Sequence, residues 1–155
     1  MPGPPPPRVR NGFSLVEMMV VLFIIGLLAG VVVMAMPGDA QMLRGEAERF
    51  AARTIAARDE AITAAAPVAL VVSNAGYYFE QRGEGQWLPL DGAGTGPATW
   101  ERGTAATVTG SGRTRIVFDP VGLASGELTV RLARGTAAQA VGIARDGKVR
   151  VDAGN

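Results

Sequence analysis

A charge-free apolar run over residues 18–36 constrains what this chain can fold into more than any other feature. As an α-helix rising about 1.5 Å per residue, the run would be about 28 Å long, close to the ~30 Å thickness of the hydrocarbon core of a bilayer. Apolar side chains would occupy every side of this helix, so it lacks the polar stripe of an amphipathic surface helix. The run therefore predicts a membrane span.

A single acidic residue, Glu17, stands at the start of the apolar run. A carboxylate in this position is unfavourable in lipid unless it meets a cation or stays near the interface. Cleavage of the chain after Gly12 would give Phe13 a new α-ammonium group, one helical turn before Glu17. The amine of one helix could then pair with the carboxylate of a neighbouring helix, which would give Glu17 a role in assembly.

Residues 12–17, Gly-Phe-Ser-Leu-Val-Glu, together with the apolar run resemble the class III signal of type IV pilins and of type II secretion pseudopilins. The resemblance implies that a prepilin peptidase in the inner membrane cuts between Gly12 and Phe13 and methylates the new amine of Phe13.

The N-terminal region has two other interpretations. A secretory signal needs a small-residue cleavage site after its apolar core, and residues 34–37, Met-Ala-Met-Pro, are a poor substitute for one. A plain single-pass anchor stays open, but it leaves Gly12 and Glu17 without a role.

The sequence divides into four segments. Residues 1–12 contain four successive prolines, which exclude a helix, and two arginines, which favour a cytoplasmic location. We expect this leader peptide to be removed and residues 13–36 to form the transmembrane and assembly helix. Residues 37–66 are expected to form an amphipathic periplasmic helix, and residues 67–155 a periplasmic β domain. The expected location is the inner membrane of a Gram-negative bacterium, crossed once.

Residues 40–65 are rich in alanine and follow a helical period after the break at Pro37. The apolar stripe is predicted to contain Leu43, Ala47, Phe50, Ala51, Ile55 and Ile62. The solvated face is predicted to contain Arg44, Glu48, Arg53, Arg58, Asp59 and Glu60. We expect the stripe to lie against a sheet.

After Pro67 the pattern changes to short strand-like segments separated by turn residues. The predicted strands are residues 68–73, 77–81, 106–109, 114–119, 127–133, 140–145 and 148–152. Residues 87–90 form a short apolar segment. Residues 74–76 and 146–147 are predicted turns, and residues 91–98 a flexible loop. The expected fold class is α+β and pilin-like, with a long N-terminal helix packed on an antiparallel β-sheet or small β-sandwich.

Four segments of this half support a narrower resemblance. They are residues 56–62 (Ala-Ala-Arg-Asp-Glu-Ala-Ile), 76–79 (Gly-Tyr-Tyr-Phe), 87–90 (Trp-Leu-Pro-Leu) and 118–124 (Phe-Asp-Pro-Val-Gly-Leu-Ala). Together they resemble the family of the type II secretion minor pseudopilin called general secretion pathway protein H. The resemblance implies assembly with other minor and major pseudopilins on an inner-membrane platform. It further implies that the pseudopilus helps to drive folded exoproteins across the outer membrane.

Composition argues against an enzyme. The chain contains no histidine and no cysteine, which removes the usual general base, a Ser-His pair, disulfides and thiolate metal ligands. No cofactor is expected, and no metal. The carboxylates are scattered along the sequence, which argues against a calcium site through Asp91 or Asp119.

The alternative function is that of a minor pilin of a type IV pilus that binds DNA, since related minor pilins capture DNA through basic C-terminal residues. Arg113 and Arg115 would share one face of a strand, and Lys148 and Arg150 another. Residues 147–150, Gly-Lys-Val-Arg, resemble the glycine-arginine-x-arginine motif of DNA-uptake minor pilins. No aromatic residue is interleaved with these cations in the sequence, and acidic residues flank the second pair. A solvated edge is therefore favoured over a DNA contact.

Overall fold

The computed structural model describes residues 14–35, 38–92, 94–109 and 112–154. The chain divides into two compact units, Met1–Pro37 and Gly38–Asn155. In the first unit, helix α1 runs over Leu15–Ala35. Among the described residues, no helix is both long enough and apolar enough to cross a membrane. The transmembrane role of residues 13–36 stays a prediction.

Helix α2 spans Asp39–Thr63 and supplies one face of the core of the second unit. Its fully buried residues recur at alternating spacings of four and three, which keeps them on one stripe of the helix. They are Leu43, Ala47, Phe50, Thr54, Ala57 and Ala61. The hydroxyl of Thr54 donates to the carbonyl of Phe50 at 2.9 Å, so a polar side chain is accommodated in this stripe.

The first sheet is antiparallel, with its main strands in the order β3-β2-β1-β6. The strands are β1 (Val68–Ser73), β2 (Gly76–Gly83), β3 (Gln86–Pro89), β4 (Ala98–Thr99) and β6 (Arg113–Phe118). Strand β4 pairs with β2 beside Gly76, where a Cβ atom would lie 2.2 Å from the carbonyl oxygen of Ala98. Only glycine allows the two backbones to approach so closely.

The second sheet is also antiparallel, in the order β5-β7-β8-β9. Its strands are β5 (Ala105–Val108), β7 (Leu128–Arg134), β8 (Ala137–Ile143) and β9 (Val149–Ala153). Along β7 buried and exposed residues alternate, because Leu128, Val130 and Leu132 point into the core. Helix α2 contacts β1, β7, β8 and β9, so it covers the inner faces of both sheets. The predicted α+β class is confirmed.

Three aromatic side chains join α2 to the first sheet. Phe50 meets Tyr77 and Trp100 edge to face, with ring centroids 4.7 and 5.4 Å apart. The indole nitrogen of Trp100 donates to the carbonyl of Ser73 at 2.9 Å, which satisfies the polar end of a buried ring. The packed rings close the core beside the N-terminal half of α2.

Two residues of the predicted apolar stripe are wrongly placed. Ile55 and Ile62 are 36% and 46% exposed, while Ala57 and Ala61 are buried instead. The reason is packing distance, because alanines let the helix backbone approach the sheets more closely than isoleucines would. Burial therefore follows the small side chains, and the larger ones lie at the border of the helix face.

The predicted solvated face is also partly wrong. Arg44 and Glu48 do form an exposed ion pair at 2.8 Å. Arg53, however, donates to the carbonyl of Gly94 at 2.6 Å and to the hydroxyl of Tyr77 at 3.2 Å. Long arginine stems reach past the helix border to loop and strand acceptors, which helical periodicity alone does not reveal.

The predicted strands all exist, with ends shifted by up to three residues. The predicted loop 91–98 is wrong at its end, since Ala98 belongs to the short strand β4. Strand β8 begins at Ala137 and ends at Ile143, earlier than the predicted 140–145. Gly76 lies in β2, so the first hairpin turn consists of residues 74–75 alone. The wider β8–β9 turn closes with Gly147 donating to the carbonyl of Ala144 at 2.9 Å.

Replacement of Phe50 by alanine tests the core. We expect Phe50→Ala to lower the free energy of unfolding by about 3–5 kcal/mol, because it removes a fully buried ring and leaves a cavity between α2 and the first sheet. Ile55→Ala on the border of the same helix should lower it by less than about 1 kcal/mol. Urea unfolding of the Gly38–Asn155 unit, followed by tryptophan fluorescence, measures both. Equal losses would contradict this assignment of the core.

Candidate functional site

The predicted processing residues lie at the beginning of the chain. Gly12 and Phe13 fall outside the described residues, so their cleavage and methylation stay predictions. Glu17 lies in the first turn of α1 and its side chain is exposed. A carboxylate is favoured there, because the first turn of a helix carries partial positive charge. The pairing of Glu17 with another chain also stays a prediction.

The arginines of β6 lie on the outer face of the first sheet, opposite the core. Arg113 donates a hydrogen bond to the hydroxyl of Tyr78, and its guanidinium carbon lies 5.7 Å from the centroid of that ring. Ile116 and Phe118 of the same strand point inward and are buried. The alternation of a strand thus places Arg113 and Arg115 on one face, as their spacing indicates.

Arg115 lies at the centre of a larger arrangement on this face. Its Nη2 lies 2.8 Å from Oε2 of Glu80, although that oxygen has no partner with hydrogen-bond geometry. Its guanidinium carbon lies 4.2 Å from the ring centroid of Trp87, and that of Arg82 lies 5.8 Å from the same ring. We call the whole group the outer-face cluster: Tyr78, Glu80, Arg82, Trp87, Arg113 and Arg115.

The outer-face cluster corrects one expectation. The sequence shows no aromatic residue interleaved with the basic ones, yet two rings lie beside Arg113 and Arg115. Strand pairing brings them together, because β1 aligns with β2 on one side and with β6 on the other. The spacing Tyr78, Glu80, Arg82 was the signal available in the sequence, since alternate residues of a strand share a face.

The other predicted basic pair lies on the second sheet. Lys148 and Arg150 border an open groove on its outer face, together with Asp146 and Asp152. The Nζ of Lys148 lies 2.7 Å from Oδ2 of Asp146, and the backbone amide of Lys148 donates to Oδ1 at 3.1 Å. The structure thus places the four predicted DNA contacts on two sheets, and DNA contact stays a prediction.

The hydrogen bond from the Lys148 side chain holds the pKa of Asp146 below its ordinary value of 3.8, and the bond from the Lys148 backbone acts in the same direction. The carboxyl of Asp146 therefore binds a proton less readily in the folded protein than in the unfolded chain, so its ionised form stabilises the folded state. The stabilisation is fully present above pH 3.8 and is lost as the pH falls through the lowered pKa.

A structured loop follows β6. The Oδ1 of Asp119 accepts hydrogen bonds from the backbone amides of Val121 and Leu123, at 3.0 and 2.9 Å. This use of the carboxylate gives Asp119 a structural role in the loop. Among the described residues, no three acidic side chains converge as metal ligands.

The same loop meets the end of α2 and the β8–β9 turn. Arg58 donates to the carbonyl of Gly147 at 3.1 Å. A Cβ atom on Gly147, whose φ is +77°, would lie 2.0 Å from the carbonyl oxygen of Gly122. Glycine is therefore required here both by conformation and by contact. Val121 and Leu123 on either side of Gly122 are 74% and 50% exposed.

A buried acid that the sequence did not single out fixes another loop. Glu46 of α2 is only 5% exposed. Its two carboxylate oxygens accept from the backbone amide of Glu101 and from the hydroxyl of Thr104, each at 2.6 Å. Since both oxygens are occupied, Glu46 holds the loop before β5 against α2.

Comparison with known families decides what kind of chain this is. Residues 7–33 match the prokaryotic N-terminal methylation motif. Residues 46–147 match the family described as type II transport protein GspH, which is well over half of the chain. The chain belongs to the GspH family. The resemblance found in the sequence is thereby confirmed, and the families matched are structural pseudopilins and pilins rather than enzymes.

Two proteins of known structure have a fold similar to that of this GspH family member. The minor pseudopilin EpsH from the type 2 secretion system of Vibrio cholerae matches with a TM-score of 0.62 and 16% identity, covering 75% of this chain and 98% of EpsH. The type IV minor pilin FimU of Pseudomonas aeruginosa matches with a TM-score of 0.56 and 17% identity, covering 72% of this chain and 88% of FimU. The pilin-like fold is confirmed. No curated protein sequence matches the chain.

The pKa of Asp146 tests the ion pair between Asp146 and Lys148 at the groove on the second sheet. We expect Lys148→Ala to raise the pKa of Asp146 towards 3.8, because the side-chain donor is lost while the backbone donor remains. A ¹³C-carboxyl NMR titration measures this pKa. Arg145→Ala is the matched control, since Arg145 faces Glu127 instead. An unchanged pKa in Lys148→Ala would contradict the ion pair.

Proposed function

We propose that this chain is a minor pseudopilin of a type II secretion pseudopilus. The proposal is supported chiefly by one observation, the match of a methylation motif at residues 7–33 and of the GspH family at residues 46–147 within a single chain. The pseudopilin EpsH, which has the same fold, comes from a secretion system. In this role the protein helps to drive folded exoproteins across the outer membrane.

The proposed processing begins at the leader. A prepilin peptidase cuts between Gly12 and Phe13 and methylates the amine of Phe13. Residues 13–36 then anchor the chain once in the bacterial inner membrane, with the Gly38–Asn155 unit in the periplasm. The anchor is supported by the apolar run in the sequence and by the matched motif.

The proposed assembly depends on α1. Its apolar side chains are exposed in the isolated chain, among them Leu15, Leu22 and Phe23. Such a surface is stable only against lipid or against other apolar helices. The proposed partners are other minor and major pseudopilins and the inner-membrane platform, with the amine of Phe13 in one chain facing Glu17 in another.

Substitution of Gly12 tests the processing. We expect Gly12→Ala to leave the leader attached, so that the protein migrates at the size of the full chain and intact mass spectrometry finds no terminus at Phe13. The wild-type protein should begin at Phe13 and carry one added methyl group. Cleavage of Gly12→Ala at the normal site, or a wild-type terminus elsewhere, would overturn the proposal.

Substitution of Glu17 tests the assembly. We expect Glu17→Ala to be cut and inserted normally but to co-purify with partner pseudopilins at a level reduced about tenfold or more, because a neighbouring amine is left unpaired in an apolar setting. Glu84→Ala, which removes an exposed carboxylate from the turn after β2, is the control and should assemble normally. Wild-type co-purification of Glu17→Ala would contradict the pairing.

A further inference from the structure

We propose that the outer-face cluster binds an acidic surface of a partner protein through carboxylates. The proposal rests on the proposed function in one respect, which is that a pseudopilin acts through contacts with other proteins. The cluster comprises Tyr78, Glu80, Arg82, Trp87, Arg113 and Arg115.

The charges of the cluster are unbalanced. It contains three guanidinium groups and one carboxylate, and the carboxylate of Glu80 lies against Arg115. Among the described residues, Arg82 and Arg113 form no ion pair. Arg113 bonds instead to the neutral hydroxyl of Tyr78. A face with this surplus is complementary to an acidic surface, which favours encounter and correct orientation of such a partner.

The arginines are held in place before a partner arrives. Each guanidinium lies over an aromatic ring, Arg115 closest at 4.2 Å from the centroid of Trp87. This contact restricts the rotamers of a long side chain, so less conformational entropy is lost on binding. A planar guanidinium offers its donors as a fork that matches a carboxylate. The cluster is therefore ordered for carboxylate recognition.

The sheet beneath the cluster is already covered by side chains. Ala69 and Val71 of β1 point to this outer face but are buried, with Val71 flanked by Tyr78 on one strand and Arg115 on the other. Their burial shows that the cluster already covers part of the sheet. Arginine, tryptophan and tyrosine on a buried apolar base have the composition of energetically important interface positions.

A protein carboxylate fits the cluster better than a nucleic acid does. Base stacking needs an open ring face, and both Trp87 and Tyr78 have guanidinium groups against them. A phosphate backbone also favours a continuous track of cations, whereas Lys148 and Arg150 lie on the other sheet and Lys148 is paired with Asp146.

The test measures binding of a fluorescein-labelled glutamate-rich peptide to the full chain in non-ionic detergent by fluorescence anisotropy. A peptide with glutamine in place of each glutamate and a single-stranded oligonucleotide are compared in the same buffer. We expect the acidic peptide alone to bind through the cluster. Arg82→Gln/Arg113→Gln should weaken its binding about fivefold or more, since two unpaired cations are lost.

Two matched variants separate the cluster from general charge. Arg131→Gln/Arg150→Gln removes two exposed arginines from the outer face of the second sheet and should change binding less than about twofold. Arg82→Lys/Arg113→Lys keeps the charge but loses the planar fork, and should bind with intermediate affinity. Circular dichroism checks that each variant is folded.

Several outcomes would overturn the proposal. Equal weakening of peptide binding by the two Arg→Gln double variants would show a general charge effect. Wild-type binding by Arg82→Lys/Arg113→Lys would show that the planar guanidinium is not needed. Tighter binding of the oligonucleotide, lost in Arg82→Gln/Arg113→Gln, would make the face a nucleic-acid site. Absence of peptide binding would also refute it, while normal leader cleavage and assembly of the same protein would leave the proposed function intact.

Discussion

The close approach of α2 to two separate sheets is the constraint on which the second unit depends. Alanines at positions 47, 57 and 61 are fully buried on the same stripe as Leu43, Phe50 and Thr54, so the helix backbone can lie near both inner faces at once. Larger residues in these positions would push the helix outward and open both sheets to water. The core is therefore set by small side chains as much as by large ones, and the exposed positions of Ile55 and Ile62 follow from the same geometry.

Sequence patterns located most of the helices and strands but not all of their contacts. Alternation and turn residues located the strands, because a strand with one buried face must repeat every second residue. They missed β4, which has two residues and is too short to show a period. They also assigned Arg53 and Arg58 to solvent, because a helical period describes where a side chain begins and not which carbonyl its guanidinium reaches.

The candidate functional residues were harder to predict from sequence patterns than the helices and strands. The N-terminal motif could be recognised because its residues are adjacent in sequence, and the matched methylation motif supports that interpretation. The outer-face cluster could not be found in this way, since Arg113 lies 35 residues from Tyr78 and their contact exists only through the register of β1 with its two neighbours. Glu46 was missed for a related reason. A buried carboxylate is stable only when its oxygens accept hydrogen bonds. The donors to Glu46 are Glu101 and Thr104, which lie in a loop distant in sequence.

The low identity of the structural matches bears on how far surfaces can be compared. At 16% identity to EpsH the fold is retained, because a core needs apolar residues of suitable size in the right pattern rather than particular amino acids. Surface side chains carry no such constraint. Binding to a partner depends on individual groups, such as a guanidinium held over Trp87, and one substitution can remove them without disturbing the core. The partners of this GspH family member must therefore be inferred from its own exposed residues. Among these exposed residues, the arginines of the outer-face cluster are the strongest candidates for a partner contact, because they outnumber the carboxylates beside them. Ala69 and Val71 beneath them are buried, so this face is packed and not merely solvated.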